Sequence, residues 1–406
     1  MKNVLFITWD GPQVSYLESL FLPIFSSLMS KGEFGFHILQ FSWASDEIVS
    51  RRRKTCEASG CSYTAVSVLR KPVAIGGLIS AGMGLWHVRR VIKERNIDIL
   101  LPRSTLPALS CLLALRSGDK KLVFDADGLP LDERVDFAGQ SPLSVIYRAL
   151  RDIEAQAVRR ADAVLTRSRK AITVLQARAG AGTSDDKFHV VSNGRDSALF
   201  SPGDLDGRTT IKKRLSIHDD APLVVYAGSL GPQYLPEAML SLFGFIRKSR
   251  PDSHFLVLTG SPEFMRDLVS TYDSTLASGM TIKRVDANEV PGWLAAADLG
   301  LAFREPTFSM QGVAPIKLGE YLLCGVPVVA TRGVGDSHFI DENSGFLVDG
   351  CDSETLEAVA DWFIHKVLPA REGYRAHCRS VGVDHFSLES SVEAYRKALL
   401  SIQVQP

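Results

Sequence analysis

Lys317 and Glu320 stand three residues apart, just after the small-residue loop Gln311-Gly312-Val313-Ala314 and the proline Pro315. The spacing predicts a helix that starts near Pro315, a residue type favoured at the first helical position. Gly325 ends it, and a buried strand over 326–330 follows. Free N–H groups and the helix dipole make such an N-terminus a place for a diphosphate. Lys317, in the first turn, would add positive charge, and Glu320 could accept two ribose hydroxyls. The plainer reading is an exposed Lys/Glu pair worth ~0.2–0.5 kcal/mol.

The elements that must position these residues repeat as strand, loop and helix. Short Val/Ile/Leu/Phe runs at 3–8, 36–41, 97–101, 121–125, 162–166 and 188–192 read as buried parallel strands. Helical stretches at 15–30, 77–95, 141–160 and 169–178 lie between them, and Pro23 should kink or break the first. After Ser201-Pro202-Gly203 a second series begins. Its strands are 223–227, 254–259, 280–285, 298–303, 326–330 and 345–348, with helices at 236–248, 262–274, 289–297, 314–324 and 353–366. Two consecutive blocks of this kind predict an α/β protein of two doubly wound, Rossmann-like domains with parallel sheets. A last helix, about 388–401, has no strand after it and is expected to pack back on the first domain. Ligands of open parallel sheets bind beyond the carboxyl ends of the strands. The loops to inspect are therefore those at 10–12, 103–104, 125–128, 192–194, 228–231 and 304–314, and two facing domains would place a cleft between them.

At 406 residues, with 45% hydrophobic and 23% charged residues, the chain has the composition of a globular protein large enough for two cores. The zero net charge hides an asymmetry. Residues 1–200 hold 27 Lys+Arg against 20 Asp+Glu, and the remainder holds 19 against 26. A basic first half suits an anionic partner such as a diphosphate carrier or a membrane surface, with chance scatter the alternative. The six cysteines show no zinc spacing and no density of a secreted disulfide scaffold. Neither a signal-peptide pattern nor an apolar stretch of ~18–20 residues is present, so a cytoplasmic protein is expected.

The stretch Ser309–Thr331, with Asp298-Leu299-Gly300-Leu301 before it and Asn343-Ser344-Gly345-Phe346-Leu347-Val348 after it, resembles the donor-binding half of the retaining glycosyltransferases of family 4, or group 1. Val191-Ser192-Asn193-Gly194, Phe200-Ser201-Pro202 and Val225-Tyr226-Ala227-Gly228-Ser229-Leu230 extend the likeness, which is specific over about 190–350 and weak over the first 180. It implies the GT-B fold of two facing domains. Residues 1–200, with a C-terminal helix at about 386–406, would bind the acceptor, and residues 201–385 the nucleotide-sugar donor. Glu320 would hold the donor ribose. Gly11, Asn193, Gly228, Ser229, Arg304, Gln311, Gly312, Val313, Pro315 and Lys317 complete the donor candidates. Asp10, Arg103 and Asp127 are the acceptor candidates, and Asp127, Lys317 and Glu320 the catalytic ones.

The departures from the family are informative. Its first glutamate, eight residues before the second, is Gly312 here, where backbone N–H groups of Gln311, Gly312 and Val313 would have to serve instead. Its basic phosphate pair falls on Ser229 and Tyr234, which leaves the charge to Lys317, Arg304 or Arg195. Asp127, before Gly128, matches the position of a family histidine, and would orient an acceptor or sugar hydroxyl or cap the following helix. Asp125-Ala126-Asp127 matches a metal-holding D-x-D of another fold but follows a first-domain strand. Gly82-Met83-Gly84 and Gly333-Val334-Gly335 are incomplete dinucleotide fingerprints, and the nine histidines are scattered. No metal and no cofactor are expected. Arg51-Arg52-Arg53-Lys54 reads as a solvated loop, with acidic lipid the sharper alternative. The expectation is retaining, metal-independent transfer from a nucleotide-sugar to a saccharide or lipid-linked saccharide in cell-surface polysaccharide or glycoconjugate synthesis, at the inner face of the plasma membrane, with no nucleic-acid partner. A nucleotide-sugar epimerase on the same fold and a non-catalytic nucleotide-sugar-binding partner are the alternatives.

Overall fold

The computed structural model describes residues 1–13, 16–69, 73–115, 120–180 and 182–402. They fall into two compact units. The first holds the chain up to Ser192, the short segment Gln311–Val313 and the residues from Ser391 on; the second holds Asn193–Met310 and Ala314–Ser390.

The first unit is built on seven parallel strands: β1 (Lys2–Asp10), β2 (Phe34–Ser42), β3 (Ser62–Ser67), β4 (Ile99–Pro102), β5 (Lys121–Asp125), β6 (Ala163–Thr166) and β7 (Phe188–Val190), in the order β3-β2-β1-β4-β5-β6-β7. The second has six: β8 (Leu223–Ala227), β9 (His254–Leu258), β10 (Met280–Lys283), β11 (Leu299–Ala302), β12 (Val328–Thr331) and β13 (Gly345–Val348), in the order β10-β9-β8-β11-β12-β13. Every pairing is parallel and the central strands are buried on both faces, which is why they read as unbroken apolar runs. The strand order reverses between β1 and β4 in one unit and between β8 and β11 in the other. These reversals open the crevices where ligands of such sheets sit.

Of the strands, β3 was not expected from sequence. Its run Ser-Tyr-Thr-Ala-Val-Ser lies at the sheet edge and buries only Tyr63 fully, so it lacks the apolar signature of its neighbours. The helix expected at 15–30 consists of a π-helical turn, Leu17–Phe21, and an α-helix, Leu22–Ser30, with Pro23 in the first turn of the latter; Val14 and Ser15 lie outside the described residues. Arg51-Arg52-Arg53-Lys54 is not a loop. It lies in the helix Asp46–Ala58, and Arg52 is buried, donating to Gln40 Oε1, Glu18 Oε1 and the Gly11 carbonyl.

The helix Ile316–Leu323 begins one residue after Pro315, which is its N-cap. Its far end is a Schellman motif: Val326 N–H bonds the Tyr321 carbonyl and Gly325 N–H the Leu322 carbonyl, with Gly325 at φ +70°. Within the first unit, Tyr395 and Arg396 of the last helix, Leu388–Ser401, bond back to the sheet side. Tyr395 Oη lies 3.3 Å from Asp125, and Arg396 holds Glu33 through two bonds of 2.6 and 2.7 Å.

Candidate active site

At the reversal of the second sheet, the loop Gly228-Ser229 leaves β8 and Arg304 leaves β11. Lys317 Nζ donates to Tyr226 Oη at 2.8 Å, and Tyr226 Oη in turn donates to the Ser229 carbonyl. The Lys317 ammonium lies 3.9 Å from the Tyr226 ring centre and 4.6 Å from that of Tyr234, while the Arg304 guanidinium lies 4.2 Å from the Tyr234 ring centre on its own account. Cations over aromatic faces gain about 0.5–2 kcal/mol, more when desolvated. Arg304 is fixed by Thr331, whose hydroxyl accepts from its N–H and donates to its carbonyl. Gly228 has φ +143°, a conformation other residues rarely adopt, and a Cβ there would sit 3.1 Å from Lys317 Nζ and crowd the ammonium.

Two cations therefore share one tyrosine, and neither forms an ion pair with a carboxylate among the described residues. Lys317 is only 8% exposed. Burial, then the charge of Arg304, holds its pKa well below the usual lysine value, against a weaker pull from Glu320. Such a group could receive an anion.

Glu320 occupies the next turn but faces Arg195, whose Nε lies 2.9 Å from its Oε1. Burial pushes the Glu320 carboxyl up against the pull of Arg195 and Lys317. Arg195 is tied by its backbone to Phe386 and Leu388, and its guanidinium covers Phe200 at 4.8 Å. Of the three cations named from sequence for the phosphate, Lys317 and Arg304 come together, whereas Arg195 is engaged by Glu320. Asn193 donates to the Ala314 carbonyl at 3.0 Å, bracing the residue before Pro315.

Gln311, Gly312 and Val313 cluster with the first unit. Ser168 Oγ donates to the Gln311 carbonyl at 2.5 Å. A Cβ on Gly312 would lie 2.8 Å from Leu129 Cγ and 3.0 Å from Leu129 N. The glycine that replaces the expected glutamate is thus imposed by a close backbone approach, and a longer side chain does not fit.

The first unit gathers a second charged group around its strand ends. Arg103 Nη2 bonds Asp127 Oδ1 at 2.6 Å, and Arg167 Nη2 bonds Asp125 Oδ2 at 2.8 Å and lies 3.9 Å from Asp127. Tyr395 Oη shares Asp125. Burial pushes the Asp127 carboxyl up while Arg103 and Arg167 pull it down. With a guanidinium in bonding contact and the carboxylate still partly open to solvent, the ion pair is the state the geometry favours. Burial also works against the Arg103 charge, but Asp127 and Asp125 more than restore it. Asp127 has φ +53° and caps no helix; Leu129 occupies the N-cap of Pro130–Phe137. Arg167 Nε and Nη1 are buried without hydrogen-bond partners among the described residues.

Asp10 is placed differently from expectation. It is buried, accepting from Thr8 Oγ1 at 2.6 Å and Gln40 Nε2 at 2.9 Å, and Gln40 is held by Arg52 and Tyr63. This network shapes the β1 end rather than offering a free carboxylate. Gly11 packs against Trp43, where a Cβ would lie 2.6 Å from the indole. Sequence reading missed Tyr226, Arg167 and Tyr395. Tyr226 and Arg167 end or directly follow buried strands, which was a usable signal; Tyr395 is brought in by the last helix and gave none. Among the described residues no group of three His, Cys, Asp or Glu side chains could hold a metal, and no helix is long and apolar enough to cross a membrane.

Two family descriptions match the chain, Glycosyltransferase Family 4 over residues 49–199 and Glycosyl transferases group 1 over residues 221–366. This chain belongs to the family 4/group 1 glycosyltransferases. It is 23% identical, over 77% of each chain, to a GDP-mannose-dependent monoacylated alpha-(1-6)-phosphatidylinositol monomannoside mannosyltransferase of Corynebacterium glutamicum. It is 30% identical to a D-inositol 3-phosphate glycosyltransferase of Xylanimonas cellulosilytica, spanning about half of each, 49% of this chain and 48% of the relative. The fold is GT-B: Anabaena HepE in complex with UDP-glucose superposes with a TM-score of 0.71 at 14% identity, covering 99% of this glycosyltransferase and all of HepE. The family match sets the transferase above the epimerase and non-catalytic readings.

Proposed function

We propose that this glycosyltransferase takes a sugar from a nucleotide-sugar donor and transfers it, with retention and without a metal, to a hydroxyl of a saccharide or lipid-linked saccharide. The observation that carries the proposal is the pair Lys317 and Arg304 around Tyr234, two cations at the sheet reversal without an ion-paired carboxylate among the described residues. The pair suits the donor diphosphate, with Gly228 and Ser229 beside it, and HepE's complexes with UDP and UDP-glucose support a nucleotide donor. Glu320, its carboxylate set by Arg195, would take the ribose hydroxyls. Asp127, held by Arg103, would orient the acceptor hydroxyl.

Negative charge grows on the diphosphate as its bond to the sugar breaks, so stabilising that charge is the largest service the residues can give. Retention follows if the acceptor attacks from the face the diphosphate leaves, with a phosphate oxygen taking the acceptor proton. The basic first half supports an anionic acceptor at the inner face of a membrane, in polysaccharide or glycoconjugate assembly. The test is to incubate the protein, in the presence of a chelator, with UDP-, GDP- and ADP-sugars and membrane extract. Nucleoside diphosphate should be released and the new linkage should keep the donor's anomeric configuration by NMR. Inversion, or no release from any donor, would overturn the proposal.

A further inference from the structure

The first unit contains a cavity of about 730 Å³ that the charged groups above leave unused. Its walls are mainly apolar: Trp9, Trp43, Leu106, Leu131 and Ile146 line it, and among the described residues Arg134 is the charged lining residue. A volume of ~300–1,000 Å³ with mostly apolar walls and a few polar groups is that of a small-molecule site. Trp9 is held flat on Phe41 at 4.9 Å, and Trp43 is seated against Gly11, so two wall residues are fixed from behind. Ser104 and Thr105, directly after Arg103, are among its polar lining residues, and Pro130 lies three residues past Asp127. Leu69 in the wall is 52% exposed, and Leu143 and Val145, chain neighbours of the lining residues Ser144 and Ile146, are 80% and 73% exposed. Exposed apolar side chains next to an apolar cavity suit the entry of an apolar ligand.

We infer that this cavity holds the hydrocarbon chain of an amphiphilic acceptor, an alkyl or isoprenoid alcohol or its glycoside, whose polar end reaches the Arg103–Asp127 pair. The inference rests on the reading of Asp127 as the residue facing the acceptor, and narrows the acceptor class to chain-bearing molecules. A purely hydrophilic acceptor would leave Trp9, Trp43 and Ile146 without a purpose at a strand-end crevice. Two sources could supply the chain, a lipid bilayer or a soluble amphiphile.

The test uses the whole protein and ω-bromoalkanols of increasing length, whose bromine quenches tryptophan emission from Trp9 and Trp43. Quenching should saturate, and the Kd should fall about fourfold per added methylene until the cavity is full, the ~0.8 kcal/mol of a buried methylene expressed as affinity. Leu106→Asp should weaken binding at least tenfold, and Leu69→Asp, at an exposed wall position, should do so with little risk to the fold. Quenching that does not saturate, ignores chain length or survives both substitutions would overturn the inference. Vesicles with brominated acyl chains, tested on Trp86→Phe so that this exposed residue does not report, separate the sources: quenching there assigns the chain to a bilayer, and quenching only by free alkanol assigns it to a soluble amphiphile. Nucleotide binding is read separately by thermal shift. If nucleotides bind and alkanols do not, this inference alone fails; if neither binds, the reading beneath it fails too.

Discussion

Lys317 meets two opposed demands, since burial discharges an ammonium while a diphosphate needs it charged. Its contacts with Tyr226 and Tyr234 soften the first demand without supplying a negative charge. Because its pKa is depressed in the free protein, a bound dianion should restore it. Nucleoside diphosphate binding should then take up a proton and weaken as pH rises; calorimetry in buffers of different ionisation enthalpy reads both, and proton uptake should disappear in Lys317→Arg. Lys317→Met should cost about 1.5–3 kcal/mol of nucleotide affinity, roughly tenfold or more. Glu320→Ala should raise the donor KM markedly while leaving acceptor KM in place, and an unchanged donor KM would remove Glu320 from the ribose. Lys317 and Glu320 were legible in the sequence because their spacing on a helix after a glycine loop is local information. Their partners were less so: Arg195 and Tyr226 lie far away in the chain and meet them only through the fold.

At the scale of elements, the strands were legible wherever both faces are buried, and β3 was lost because an edge strand keeps polar residues. The helix Asp46–Ala58 was hidden behind its run of basic residues, since nothing in a charge run says that Arg52 turns inward to Gln40 and Glu18. Gly312 is the clearest case of an element overruling a residue. Sequence reading treats it as a lost glutamate, whereas the close approach of its backbone to Gly128 and Leu129 leaves no room for one. Restoring the family residue with Gly312→Glu should therefore lower Tm and activity together rather than improve transfer, the cost of overpacking being typically about 1–3 kcal/mol. A gain in kcat with Tm unchanged would show that the segment can move aside.

At the scale of the molecule, the first unit carries a second buried charge cluster, on its helices Pro130–Phe137, Val145–Arg160 and Arg169–Ala179. Arg178 bonds Asp132 through both terminal nitrogens at 2.7 and 2.8 Å, and Arg151 and Arg178 approach Glu154 at 3.1 and 3.3 Å. Burial and the like charge of Asp132 push Glu154 up to about 7, despite Arg151. A carboxyl whose folded pKa is raised binds its proton more tightly when folded, so its contribution is greatest below the unfolded value and is lost as pH climbs through the folded one. Wild type should therefore lose stability relative to Glu154→Gln between about pH 4.5 and 7, by up to about 3 kcal/mol. Parallel melting curves across that range would show it, and curves that keep a constant offset would refute it.

The central claim is that Lys317 and Arg304 receive a nucleotide diphosphate, and its most direct test is a thermal-shift titration of wild type and Lys317→Met with UDP, GDP, ADP, CMP and dTDP. Ligand that binds only the folded state raises Tm with the logarithm of its excess over Kd. The account predicts a rise of several degrees with one diphosphate, strongly reduced in Lys317→Met at unchanged ligand-free Tm. No rise with any nucleotide, or the same rise in the variant, would contradict it.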